Sequence, residues 1–402
     1  MRKYTWKKLI NKIKQLAKEY KQDVIDIRRH IHANPELSYQ EFNTAKFVAE
    51  QLRNFGIDPK EGVAETGLTA IIKGKNPDKK VTALRADMDA LPILEANDVP
   101  YKSKNEGVMH ACGHDAHTAS LLGCAKILNS LKEEFEGTVK LIFQPGEEKN
   151  PGGASLMIKD GALKNPVPTT IFGQHVMPLI PVGKVGFRSG MYMASCDEIY
   201  LTVHGKGGHG AIPELAIDPV LITSHIIVAL QQVISRNASP KTPTVLSFGK
   251  VEANGATNII PEKVEVAGTF RAMNEEWRAE AHRIIKKMAE SIAEGMGGSC
   301  DVNISKGYPY LENDPAITDS ARKSAEEYLG KENIEDLDLW MGAEDFSYYT
   351  HEVPACFYRL GTRNEQKGIT SYVHTPTFNI DENALEIGSG LMAWIAIKSL
   401  GN

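Results

Sequence analysis

The chain has 402 residues, 42% of them hydrophobic and 24% charged, with a formal net charge of -5. That is the composition of a globular protein, too long for one ordinary core, so two or three domains are expected. The acidic balance excludes nucleic acid as the main partner, which needs concentrated Lys and Arg, and no stretch approaches the roughly 20 apolar residues that span a bilayer.

The one basic concentration runs from Arg2 to Lys21, where Ile10, Ile13, Leu16, Tyr20, Val24, Ile27 and Ile31 recur at helical spacing. This predicts an amphipathic helix packed on its own domain rather than on a membrane. No apolar run follows its lysines, so no signal peptide is expected. Residues 40–55 predict a helix that stops at Gly56. Strands are expected at 68–72, 81–85, 138–143 and 170–173, with a helix at 117–131, an alternation that predicts an α/β sheet with its site at strand ends. The pattern changes across 183–193. After it come a strand at 198–204, a helix opened by Pro219, strands at 244–252 and 263–271, a helix carrying Trp277, Ala281, Ile284, Met288 and Ile292, and a strand at 301–306. That order is the split βαβ pattern of a small α+β sandwich. The earlier style returns from about Tyr308 and ends in a helix after Asp381. The expected architecture is a discontinuous α/β domain, residues 1–186 and 307–402, interrupted by an inserted α+β domain, residues 187–306.

There are five cysteines. Their odd number and scatter fit a reducing, cytoplasmic setting better than a disulfide scaffold. Cys124 and Cys356 fall on apolar faces and read as buried small hydrophobes. Cys112 does not. It sits in His110-Ala111-Cys112-Gly113-His114-Asp115, where a thiol and an imidazole flank one glycine. Such a donor pair suits zinc, cobalt, nickel or manganese, although a redox or structural cysteine fits the same residues.

Three further clusters bear on that choice. Gln144-Pro145-Gly146-Glu147-Glu148 follows an apolar strand, so one carboxylate can bind metal while its neighbour serves as base toward a water. Gly173-Gln174-His175-Val176 and Tyr372-Val373-His374-Thr375-Pro376 each add a histidine. Taken singly, each reads more readily as a solvated pair or an ordinary histidine. Together they offer Cys112, His114, Glu148, His175 and His374, more donors than one structural zinc needs, which predicts a two-metal centre. Asp87 and Asp89 either orient ligand imidazoles or simply form a turn. In the inserted domain, Gly205-Lys206-Gly207-Gly208-His209-Gly210 lacks the order of a phosphate loop. His209 is instead a candidate donor to a developing oxyanion, and Arg271 and Asn258 are candidates for a substrate carboxylate or for structural roles. His204, His225 and His282 read as structural.

The ordered motifs resemble the di-metal aminoacylase/carboxypeptidase metallohydrolase family, in its amidohydrolase branch of hippurate hydrolases, N-acetyl-amino-acid deacetylases and indole-acetyl-amino-acid hydrolases. They run from Arg29-His30-Ile31-His32-Ala33-Asn34-Pro35-Glu36-Leu37 through Ala86-Asp87-Met88-Asp89-Ala90-Leu91-Pro92, the Cys112 and Glu147 clusters, Asn258-Ile259-Ile260-Pro261, Gly268-Thr269-Phe270-Arg271 and Met341-Gly342-Ala343-Glu344-Asp345-Phe346-Ser347, to His374. The resemblance implies that Cys112, His114, Glu148, His175 and His374 hold two divalent metal ions (Zn, Mn, Ni or Co). Cys112 would take a bridging position that most of the wider family gives to aspartate, and Asp87 the place of a ligand histidine. It further implies Glu147 as general base, Asp89 as the residue orienting a ligand, and the inserted domain as a hinged lid and dimerisation domain. The branch usually has histidine where this chain has Glu214. The expected activity is hydrolysis of N-acyl amino acids, small-molecule substrates, by a metal-activated water; the alternatives are a dipeptidase or exopeptidase, and a non-catalytic binding protein. A thiolate at the bridging position also predicts sensitivity to oxidation.

Overall fold

A computed structural model describes residues 2–401, with side chains from Trp6 onward. The chain divides into two compact units. The first runs to Tyr192 and resumes over Glu312–Leu339 and from Asp345; the second takes Met193–Leu311 and Trp340–Glu344. These borders lie a little outside the expected 187–306. The short strand Val185–Phe187 pairs with Ala355–Arg363 and Ile334–Asp336, so the chain leaves the first unit only after it.

The first unit is built on an eight-stranded sheet. Its order is Pro59–Val63, Gly67–Lys73, Thr138–Gln144, Val81–Asp87, Thr170–Pro181, Ala355–Arg363, Val185–Phe187, Ile334–Asp336. The four strands from Thr138–Gln144 to Ala355–Arg363 run parallel and are buried along most of their length, as their unbroken apolar runs require. One strand departs from expectation. Thr170–Pro181 continues well past Gly173, placing His175 inside the strand opposite Arg359 rather than at its end. Gly173, Gln174 and His175 interrupt the apolar pattern, but pairing with Ala355–Arg363 carries the strand through them.

The helix His114–Ser130 lies on this sheet against Lys21–Ala33 and Asn383–Gly401 and is buried on nearly all sides. It begins three residues before the expected 117, so His114 belongs to its first turn. The amphipathic start forms two helices, Arg2–Glu19 and Lys21–Ala33, whose Ile13, Val24, Ile27 and Ile31 enter the core of this unit. No helix among the described residues is long and apolar enough to cross a membrane.

In the second unit an antiparallel sheet of four strands has the order Thr244–Glu252, Lys263–Ala272, Asp197–His204, Ser299–Lys306. Its helices, Pro219–Gln232 and Glu275–Gly295, start at side-chain caps: Asp218 accepts from Val220 N, and Asn274 from Trp277 N. Ile199, Leu201 and Val203 of the sheet share a core with Ile222 and Ile226 of one helix and Ala281 and Ile285 of the other. Buried Asp197 is held by Arg278 and by His282 Nε2 at 2.7 Å, which gives His282 its structural partner.

Candidate metal centre

The polar clusters of the first unit converge. Cys112 ends a loop, and Gly113 turns the chain into the helix with φ +87°. Only glycine suits this turn, because a Cβ there would also lie 2.5 Å from Val176 Cγ2. Gly113→Ala is therefore expected to cost about 2–4 kcal/mol from backbone strain and overpacking and to weaken metal retention. A variant with wild-type melting temperature and metal content would show that the turn relaxes at no cost.

The sulfur of Cys112 belongs to two triads of donors. One joins it to His114 and His175, the other to Glu148 and His374, and within each triad the donor atoms lie within 4.8 Å of one another. The imidazoles are set by what their other nitrogens do. His114 Nδ1 lies 3.1 Å from Asp89 Oδ1, and His175 Nδ1 lies 2.7 Å from the carbonyl of Val176. Each Nδ1 donates, which leaves both Nε2 lone pairs for the centre. His175 Nε2 is 3.5 Å from the Cys112 sulfur. His374 adopts φ +62°, a backbone conformation rare for a side-chain-bearing residue, and places its Nε2 3.2 Å from Glu148 Oε1.

These donors fit divalent cations. His114 Nε2 is buried without a hydrogen-bond partner, a costly state that a bound cation relieves. Burial and then Glu148 push the Cys112 thiol up, and hydrogen bonds to Cys112 and Glu148 raise His374 to about 10. The cluster thus draws protons where a metal would sit. Burial, reinforced by Arg359, keeps His175 neutral, as a ligand must be.

Glu147 lies beside the triads, 7% exposed, with Oε2 3.9 Å from His114 Nε2 and Oε1 3.4 Å from the backbone N of Asp345. Asp89 connects the halves of the site: its Oδ1 faces His114, while its Oδ2 accepts from Glu148 N at 3.0 Å and Ser38 Oγ at 2.6 Å.

Asp87 lies near His114, 3.9 Å from its Nε2, but is engaged elsewhere. Its carboxylate meets Arg85 Nη1 at 2.6 Å and His117 Nδ1 at 2.6 Å. His117 Nε2 in turn accepts from Val176 N at 2.9 Å. With that lone pair taken, His117 has none left for a metal, although Asp87, His114 and His117 cluster closely. Sequence reasoning gave no role to His117, Arg85 or Asp345. Arg85 also donates to Gln144 Oε1 (2.9 Å) and Asp345 Oδ1 (2.7 Å), and Asp345 accepts from Gln144 and Ala154 N. This buried lattice ties two strands to the Glu147 turn. A charged residue in an otherwise apolar strand was the available signal for Arg85.

The remaining expected residues lie in the second unit. His209 pairs with Ile259 across a two-residue ladder, which brings it beside Asn258, and both are exposed. Arg271 is half-buried with Nε 3.1 Å from Thr269 Oγ1. Glu214 is exposed.

The chain is similar to known proteins along most of its length. A model described as peptidase family M20/M25/M40 matches residues 83–398. Thermostable carboxypeptidase 2 of Saccharolobus solfataricus is 41% identical over 97% of this chain and 98% of its own length. N-acetylcysteine deacetylase of Bacillus subtilis is 39% identical over 93% of this chain and 96% of its own. Among solved structures, a Bacillus subtilis protein described as a dinuclear metal-binding peptidase of the M20 family superposes with a TM-score of 0.81, at 35% identity, covering 96% of this chain and 99% of that one.

Proposed function

The chain belongs to peptidase family M20/M25/M40 and is a metal-dependent amidohydrolase, and from that premise we propose that it hydrolyses the amide bond of N-acyl amino acids. The observation that carries this reading is the pair of donor triads sharing Cys112, with the Glu147 carboxylate beside them. We assign Cys112, His114, Glu148, His175 and His374 as the metal ligands. Divalent cations bound there would supply the positive charge that acidifies a water and polarises the acyl carbonyl.

Glu147 then takes the water's proton as it attacks the carbonyl carbon and returns it to the departing amine nitrogen, so the carboxylate ends as it began. Asp89 and the Val176 carbonyl keep the His114 and His175 lone pairs directed at the centre throughout. Arg271 and Asn258 bind the substrate carboxylate, and His209 donates to the developing oxyanion; motif resemblance, rather than any distance, supports these three assignments. A thiolate ligand favours zinc or cobalt over manganese.

Val220, Leu221 and Val228 expose an apolar strip on the helix Pro219–Gln232, which supports pairing of the second unit with another copy of the chain. All five cysteines are free, which supports a reducing, cytoplasmic setting.

A second reading, dipeptidase or exopeptidase, draws on the relative named a carboxypeptidase. A panel of acetyl-, benzoyl- and aminoacyl-amino acids, assayed alongside metal content per chain, separates the two. The acyl compounds are expected to turn over at least about ten-fold faster in kcat/KM, a discrimination of about 1.4 kcal/mol. Preference for free dipeptides would move the assignment to the second reading.

A further inference from the structure

The loop that carries Glu147 and Glu148 is gripped by a segment to which no role has been given above, Ser38 to Glu41. Glu41 is fully buried, and its Oε1 accepts from Gly146 N at 2.8 Å and from Tyr39 N at 2.9 Å. Its Oε2 accepts from Thr66 Oγ1 at 2.8 Å. Three donors around one buried carboxylate make it a fixed anchor for the turn that starts the loop.

Tyr39 grips the far side. Its hydroxyl donates to Lys149 O at 2.6 Å and accepts from Gly152 N at 3.1 Å. Its ring covers Gly146 so closely that a Cβ there would lie 2.2 Å from Cε1. Tyr39 itself adopts φ +66°. A tyrosine keeps such a backbone only where its surroundings enforce it, and such positions gather at functional sites. Ser38 reaches the middle: its hydroxyl donates to Asp89 Oδ2, the oxygen that also receives Glu148 N.

The loop is therefore held before its glutamates by Glu41, at Glu148 through Asp89 by Ser38, and after them by Tyr39. Cys112, His175 and His374 do not touch the segment in any of these contacts. We propose that Ser38, Tyr39 and Glu41 are positioning residues that aim the Glu147 carboxylate. Misdirecting a base costs rate without removing it, because proton transfer demands near-contact geometry.

The proposal rests on Glu147 as the base, and its test separates the two claims. Tyr39→Phe removes one half-buried hydroxyl and keeps the ring; Glu41→Gln keeps the shape but sets an amide donor against donors. In the full metal-loaded chain, each variant is expected to lower kcat by about 5- to 30-fold, with KM little changed and metal content at the wild-type level. Amide hydrogen exchange over 146–152, which needs no substrate, is expected to accelerate in both. Combined with Glu147→Ala, neither should lower the residual rate further, since residues acting through one group are not additive.

Wild-type kcat and exchange in Tyr39→Phe would overturn the proposal. So would a full further loss on the Glu147→Ala background, or a fall in metal content that accounts for the whole effect. If the wild-type chain cleaves no N-acyl amino acid, the functional reading fails, while hydrogen exchange still decides whether the segment holds the loop.

Discussion

Replacing Glu147 with alanine is expected to leave wild-type metal content while lowering turnover on the order of 10²- to 10⁴-fold, the range of a positioned proton-transfer group. Both triads through Cys112 are complete without Glu147, so the ions keep their protein donors. What disappears is the nearby carboxylate that carries a proton from water to the leaving nitrogen. Glu147→Gln is the sharper form, because the amide preserves volume and the contact with Asp345 N but cannot accept a proton. Metal analysis and steady-state kinetics on the best substrate of the panel decide the matter. Near-wild-type rates would remove Glu147 from the chemistry; lost metal would make it a ligand instead of a base.

Cys112→Ala is expected to do more, since it takes one donor from each triad at once. Metal content should fall below two ions per chain, and activity should drop at least as far as in Glu147→Ala. Cys112→Asp provides the informative contrast. A carboxylate can serve both triads with oxygen in place of sulfur, so this variant should regain metal, with its preference shifted from zinc toward manganese. Cys124 is buried within the core of the first unit and has no part in either triad; its alanine variant is the control for loss of a buried thiol. Peroxide should inactivate the wild-type chain in step with oxidation of Cys112 and spare Cys112→Asp. Two metals retained in Cys112→Ala would show that the sulfur is not shared.

The candidate metal donors and the candidate base were more legible in the sequence than the residues that hold them. Cys112, His114, Glu147 and Glu148 stood out because polar and titratable groups clustered where apolar strands stopped. His175 stood out as well, but for a wrong local reason: it looked like the end of a strand that in fact runs on to Pro181. His374 gave a weaker signal, a histidine in Tyr372-Val373-His374-Thr375-Pro376 that counted only beside the other clusters, and in the structure it takes a left-handed backbone and meets Glu148. The lattice of Arg85, Gln144 and Asp345 was hidden because its members lie far apart in sequence and meet only through strand pairing. Glu41 was read as part of a helix over 40–55, yet it precedes the helix Phe42–Asn54 and turns its carboxylate to Gly146. The edge strand Pro59–Val63 escaped notice because three consecutive exposed residues hide its period.

The interrupted first unit also sets an order of assembly. Its sheet is incomplete until Ala355–Arg363 settles between Thr170–Pro181 and Val185–Phe187, and the helix bearing His114, already packed on Lys21–Ala33, still waits for Asn383–Gly401. Met193–Leu311, by contrast, is nearly a whole unit in one continuous stretch. During synthesis that stretch can fold while the segment before it waits with open strand edges. The metal-binding pocket is then among the last features to close, after His374 has emerged. Chaperone dependence and aggregation should therefore track delays late in translation more closely than delays within Met193–Leu311.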